Sequence, residues 1–142
     1  MNKPRIFSME LPSIENIIDE DLIRQYAEMS GDFNLVHINR EFAKTSVFKG
    51  IVAHGMMTLG FISNMLIVHF GFDWFSTGKL SVKFKLPARP GDHVRTYGRI
   101  MKDEANEIER QIECTVSLVN SRTNQELIEG TARLKIDYHK ET

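Results

Sequence analysis

The chain has 142 residues, 42% hydrophobic and 26% charged, which is enough for one packed domain and too ordinary for a disordered, collagenous or low-complexity protein. Eighteen Lys and Arg against nineteen Asp and Glu give a formal net charge of −1, without the positive excess that binding a phosphate backbone requires, so nucleic acid is not an expected partner. A single cysteine, Cys114, excludes an internal disulfide framework and a zinc site of several thiolates; with no apolar leader in residues 1–10, the expectation is one cytoplasmic domain over residues 1–142.

The first element opens at Asp19, a good N-cap. Glu20 and Asp21 put anions in the first turn, and Ile18 is placed to staple onto Ile23. Leu22, Ile23, Tyr26 and Ala27 line one face and Gly31 supplies the stop, which predicts a helix over residues 20–30. Residues 32–53 are irregular, with one short helix over 40–44 that the side chain of Asn39 can cap. From 54 to 70, Met56, Met57, Leu59, Phe61, Ile62, Met65, Leu66, Ile67, Val68 and Phe70 leave almost no polar face, predicting a helix buried on all sides. The run is too short for a bilayer and carries Thr58, Ser63, Asn64 and His69, so protein rather than lipid should surround it.

After Gly78 the period becomes two. Leu80, Val82, Phe84 and Leu86 alternate with Ser81, Lys83 and Lys85 in a half-buried strand, and Pro87 to Asp92 form a turn. Further strands are predicted over 93–101, 108–119 and 126–138. The second of these carries Ile108, Ile112, Cys114, Val116 and Leu118 on one side, broken by Arg110, and residues 120–124 make a hairpin connection. The order reads as α+β, an antiparallel sheet curled around the long helix.

Asp32 and His37 stand in the loop between the two helices, where a rigid core can hold reactive groups. Alone, such a pair equally suits a capping carboxylate and a surface imidazole. The wider pattern is more specific. Ser30-Gly31-Asp32-Phe33-Asn34-Leu35-Val36-His37, with Phe42-Ala43 and Ala53-His54-Gly55-Met56 downstream, resembles the signature of the MaoC-like, R-specific enoyl-CoA hydratases of the hydratase 2 type, a branch of the hot-dog fold. The family usually has Pro after the Asn; Leu35 stands there in this chain.

The resemblance implies a lyase that interconverts trans-2-enoyl and R-3-hydroxyacyl thioesters of coenzyme A or acyl carrier protein, with no cofactor beyond the thioester. It implies that Asp32 and His37 activate one water, without assigning which is the base, and that the backbone N–H of Gly55 meets the thioester oxygen at the helix N-terminus. It places Asn34 behind the pair as an orienting group and Ser63 near the catalytic centre as a substrate-binding residue. It also implies a homodimer, or a dimer of dimers, with joined sheets and a cleft near the interface.

Other residues have plainer readings. His54 should pack or hydrogen-bond to the loop, His69 should be structural, and Cys114 should be an inert core thiol. Lys83, Lys85 and Arg89 read as a solvated face that could meet coenzyme A phosphates. Asp32, Asn34 and His37 form no recognisable metal-ligand set. Two rival functions share the fold, a thioesterase and a non-catalytic acyl-thioester-binding protein. The first is disfavoured because many hot-dog thioesterases use an acidic residue on the central helix, and residues 54–70 contain none.

Overall fold

The computed structural model describes residues 9–138; the reading of the extreme N-terminus as leader-free falls mostly outside them. The elements run β1 (Glu15–Ile17), α1 (Glu20–Ser30), α2 (Leu35–Ile38), α3 (Arg40–Thr45), α4 (Gly55–Phe70), α5 (Phe72–Thr77), β2 (Lys79–Phe84), β3 (His93–Ala105), β4 (Glu109–Asn120) and β5 (Glu126–Asp137). The five strands form one sheet in the order β1-β3-β4-β5-β2, and every pairing is antiparallel. With α4 against its inner face this is the expected α+β, hot-dog arrangement.

α1 has the predicted bounds for the predicted reasons. Asp19 accepts from the N–H of Leu22 at 2.7 Å, and Gly31 takes the left-handed conformation (φ 78°) that ends the helix, a region glycine enters without steric cost. Asn39 caps α3 through the N–H of Phe42. The hairpin between β4 and β5 closes on Asn120, whose side-chain oxygen accepts from the N–H groups of Arg122 and Thr123.

The core lies between α4 and the sheet. Ile62, Met65, Leu66 and Phe70 of α4 are buried with Val94, Ile100, Ile112, Cys114, Val116, Leu118, Ile128 and Leu134 of the sheet. Each such side chain contributes about 1.5–3 kcal/mol on removal from water. Burial pushes the Cys114 thiol up to about 12, as befits an inert core residue. His69 packs edge-on against Phe70, and burial pushes its pKa down. Arg110, which interrupts the apolar side of β4, pairs with Asp103 across the β3–β4 hairpin, and this holds the Asp103 carboxyl below its ordinary value.

The structure corrects four expectations. α4 is not buried all round: Met56 (63% exposed), Ile67 and Val68 face outward in the single chain, because one five-stranded sheet covers only one side of a helix. On β2, Leu80 and Val82 are half-buried, whereas Phe84 and the following Leu86 are exposed at the sheet edge. Ile108 precedes β4 and is also exposed. β3 outlasts its predicted end by four residues, since a bulge at Met101, between the pairs Ile100↔Cys114 and Lys102↔Glu113, restores the ladder. Among the described residues no helix is long and apolar enough to cross a membrane.

Gly130 lies opposite Val82 in the β2–β5 ladder, and a Cβ there would come within 2.8 Å of the Val82 Cα. Gly130→Ala should therefore lower stability by about 1–3 kcal/mol, read as a shifted urea midpoint with unchanged slope. An unshifted midpoint would contradict the close approach of β2 to β5.

Candidate active site

The loop from 31 to 38 is built from local hydrogen bonds. Asp32 receives the N–H of Asn34 on its Oδ1 at 3.2 Å, the Asn34 side chain accepts from the N–H of Val36 at 3.2 Å, and the His37 N–H donates to the Asn34 carbonyl at 3.0 Å. Asn34 is thus the N-cap of α2, and Leu35 is its first residue. That position favours proline because its N–H has no helical partner, so Leu35 leaves the geometry to the cap. Asn34 thus shapes the turn between Asp32 and His37, and no hydrogen bond joins its side chain to His37 among the described residues.

Residues 51–54 run beneath this loop as a buried strap. The Val52 N–H donates to the Val36 carbonyl at 3.3 Å and the Ala53 N–H to the Ala88 carbonyl at 2.8 Å. His37 Nδ1 lies 2.7 Å from the Val52 carbonyl, which can only accept, so Nδ1 carries the proton and Nε2 the lone pair. His54 Nε2 lies 2.9 Å from the Asp32 carbonyl, so this imidazole has the opposite tautomer. The two rings stack with centroids 3.9 Å apart and planes inclined by 26°, and Tyr26 packs on His54 at 4.8 Å.

Asp32, His37 and His54 each bring one donor atom within 4.8 Å of the others. They do not converge as metal ligands. Each imidazole already has one nitrogen on a main-chain carbonyl, and imidazole lone pairs lie in the ring planes, so two stacked rings inclined by only 26° aim their remaining nitrogens in poorly convergent directions.

Gly55, the first residue of α4, has its N–H among those left free at a helix N-terminus, where the dipole also favours negative charge. It lines two adjoining hollows. One, of about 350 Å³, is walled by Tyr26, Ser30, Asp32, His54, Met56 and Phe84. The other, of about 250 Å³, is walled by Phe48, Ala53, Thr58, Phe84, Leu86 and Ala88. A Cβ on Gly55 would meet the Phe84 ring at 3.2 Å, so glycine keeps this entrance open.

Asp32 and Gly55 therefore share a hollow at the start of α4, His37 joins Asp32 and stacks on His54 beside it, and Ser63 is not with them. It lies about 12 Å further along the helix axis, where its hydroxyl accepts from the Trp74 indole N–H at 3.2 Å. Tyr26 and Phe84, which sequence reasoning assigned to a helix face and a strand, also line the site, and His54 hydrogen-bonds to the loop as expected. The one available signal was the placement of His54 directly before Gly55. Lys85 is paired with Glu126 and Glu129, and Arg89 donates to the Phe48 carbonyl, steadying the loop beside the second hollow.

The opposite tautomers can be observed directly. At mildly alkaline pH, where free imidazoles are neutral, nitrogen NMR should show His37 protonated at Nδ1 and His54 at Nε2. The same tautomer in both rings would contradict this arrangement.

Comparison with known proteins agrees with the geometry. A sequence 40% identical over 82 residues is the (R)-specific enoyl-CoA hydratase of Rhodospirillum rubrum, and the match spans 58% of this chain and 57% of that protein's length. In fold, the chain is similar to a monoamine oxidase regulatory protein from Archaeoglobus (TM-score 0.78, 19% identity, 96% and 93% of the two chains covered). It is also similar to the unliganded R-hydratase PhaJ1 from Pseudomonas aeruginosa (TM-score 0.76, 20% identity, 97% and 89% covered). Residues 7–125 match the MaoC-like domain model, and the chain belongs to that family.

Proposed function

We propose that the protein is a lyase that adds water to trans-2-enoyl thioesters of coenzyme A or acyl carrier protein, giving R-3-hydroxyacyl thioesters, or runs the reverse dehydration. The observation that carries this reading is the approach of the Asp32 carboxylate to the His37 ring, whose Nε2 bears the lone pair, with Asp32 and Gly55 lining one hollow. In the hydration direction a water held between Asp32 and His37 loses one proton to the pair as its oxygen bonds to C3. Electron density then moves through C2 onto the thioester oxygen, where the Gly55 N–H and the α4 dipole stabilise it. Return of the proton to C2 completes the addition. These groups account for every proton moved, so the reading needs no cofactor and no metal. α4 carries neither Asp nor Glu, which leaves hydrolysis without a carboxylate on the central helix.

The same reading includes a homodimer or dimer of dimers in the cytoplasm. Supporting the dimer are Met56, Ile67 and Val68 on α4 with Phe72 and Phe75 on α5, all exposed in the single chain, and β2 as an edge strand with one neighbour. Sedimentation at micromolar concentration should give at least a dimer, and a monomer there would contradict it.

Crotonyl-CoA should lose its conjugated double bond in the presence of the protein, with no thiol released. Asp32→Asn and His37→Gln should each reduce turnover by on the order of a hundredfold, and the double variant should be little worse than the weaker single one. Gly55→Val, which crowds Phe84 and the thioester together, should cost about 2.7–4 kcal/mol of transition-state stabilisation. Steady thiol release would favour a thioesterase, and near-full hydration by a folded Asp32 or His37 variant would remove that residue from the reaction.

A further inference from the structure

His54 is 2% exposed and occupies the N-cap position of α4, yet makes no side-chain capping bond. A serine, aspartate or asparagine would cap better. Its Nδ1 is buried with no hydrogen-bond partner, an arrangement that costs stability and that an apolar ring would avoid. What the imidazole supplies is a pair of contacts no other side chain provides together. Its Nε2–H holds the Asp32 carbonyl from 22 residues away, and its flat face lies on His37 at 3.9 Å. One ring therefore touches both members of the pair, and its main chain leads directly into Gly55.

We propose that His54 is a positioning residue for the hydration step, fixing the Asp32 main chain and the His37 ring relative to each other and to the Gly55 N–H. This rests on the hydratase reading. The energetic logic is orientational: Asp32 is exposed and the His37 ring is only half-buried, so neither is held by its own packing. Small misplacements of reacting groups lower turnover steeply, by up to about a hundredfold for about 1 Å.

The two contacts can be separated by substitution. His54→Phe keeps a flat ring without the N–H, His54→Gln offers an N–H without the ring, and His54→Ala has neither. With crotonyl-CoA we expect His54→Ala to lower kcat about ten- to hundredfold with KM changed less than about threefold, and the Phe and Gln variants each to recover part of that loss. In a His37→Gln background, His54→Ala should add little, because no aligned pair remains to be disturbed. Binding of butyryl-CoA, a saturated thioester that cannot react, should be unchanged. A readout independent of activity is the His37 ring itself: in His54→Ala its nitrogen NMR signals should keep the Nδ1–H tautomer that Val52 fixes but shift and broaden, because the unstacked ring is free to turn about that bond. If the unsubstituted protein hydrates no enoyl thioester, the hydratase reading fails while the His37 signals still test the positioning role. Unchanged His37 signals in a folded His54→Ala, full turnover in that variant, or losses that simply add to those of His37→Gln would overturn the proposal.

Discussion

The site depends on a short piece of buried main chain, residues 51–54, that the core grips from below and the active loop grips from above. Its N–H groups reach Val36 and Ala88, its Val52 carbonyl receives the His37 ring, and its last residue holds the Asp32 carbonyl. Ile51 and Ala53 belong to the same apolar cluster as the sheet and α4. Because these residues are buried, their polar groups must find protein partners, and apart from Ala88 those partners are in the loop that carries Asp32 and His37. The need to satisfy buried backbone thus becomes the means of aiming two side chains. The strap ends where α4 begins, so the same stretch also sets the Gly55 N–H.

The local electrostatics follow from that placement. A carbonyl facing His37 Nδ1 dictates which nitrogen keeps its lone pair, without a carboxylate partner behind the ring. The N-terminus of α4 presents partial positive charge where a thioester oxygen would gain negative charge, and no acidic residue in its first turn competes for it. Asn34 and Asn39 cap two helices of four and six residues, which hold the polar loop in shape where it has little apolar area to bury. The Gly130→Ala and His54 substitutions probe opposite ends of this chain of dependence, sheet closure at one and loop aim at the other.

Much of this was legible in the residues. α1, α3 and α4 were readable because caps and apolar spacing act within a turn or two, and β2 to β5 because alternation is a local property. β1 and α2, of three and four residues, are too short to show a period, and α5 follows α4 with only Gly71 between them. The outward face of α4 was not readable, since composition cannot say how many neighbours a helix has. Asp32, His37 and Gly55 were singled out through the resemblance of their motifs. The bond of His54 to the loop was expected, but its stacking on His37 and the places of Tyr26 and Phe84 escaped because they arise from tertiary approach: His54 meets Asp32 and His37 from 22 and 17 positions away, a relation with no periodic signature. Ser63, drawn in by the same motif, bonds to Trp74 in α5, a helix that sequence reasoning did not anticipate.

The central claim is that one water, held on one side of the substrate by Asp32 and His37, adds to an enoyl thioester whose oxygen rests on Gly55. Its most direct test is the configuration of the product. Crotonyl-CoA incubated with the protein and resolved by chiral analysis of the released hydroxy acid should yield only the R-3-hydroxybutyryl product. A racemic or S product would mean that the water approaches from elsewhere, and the account of the site would be wrong.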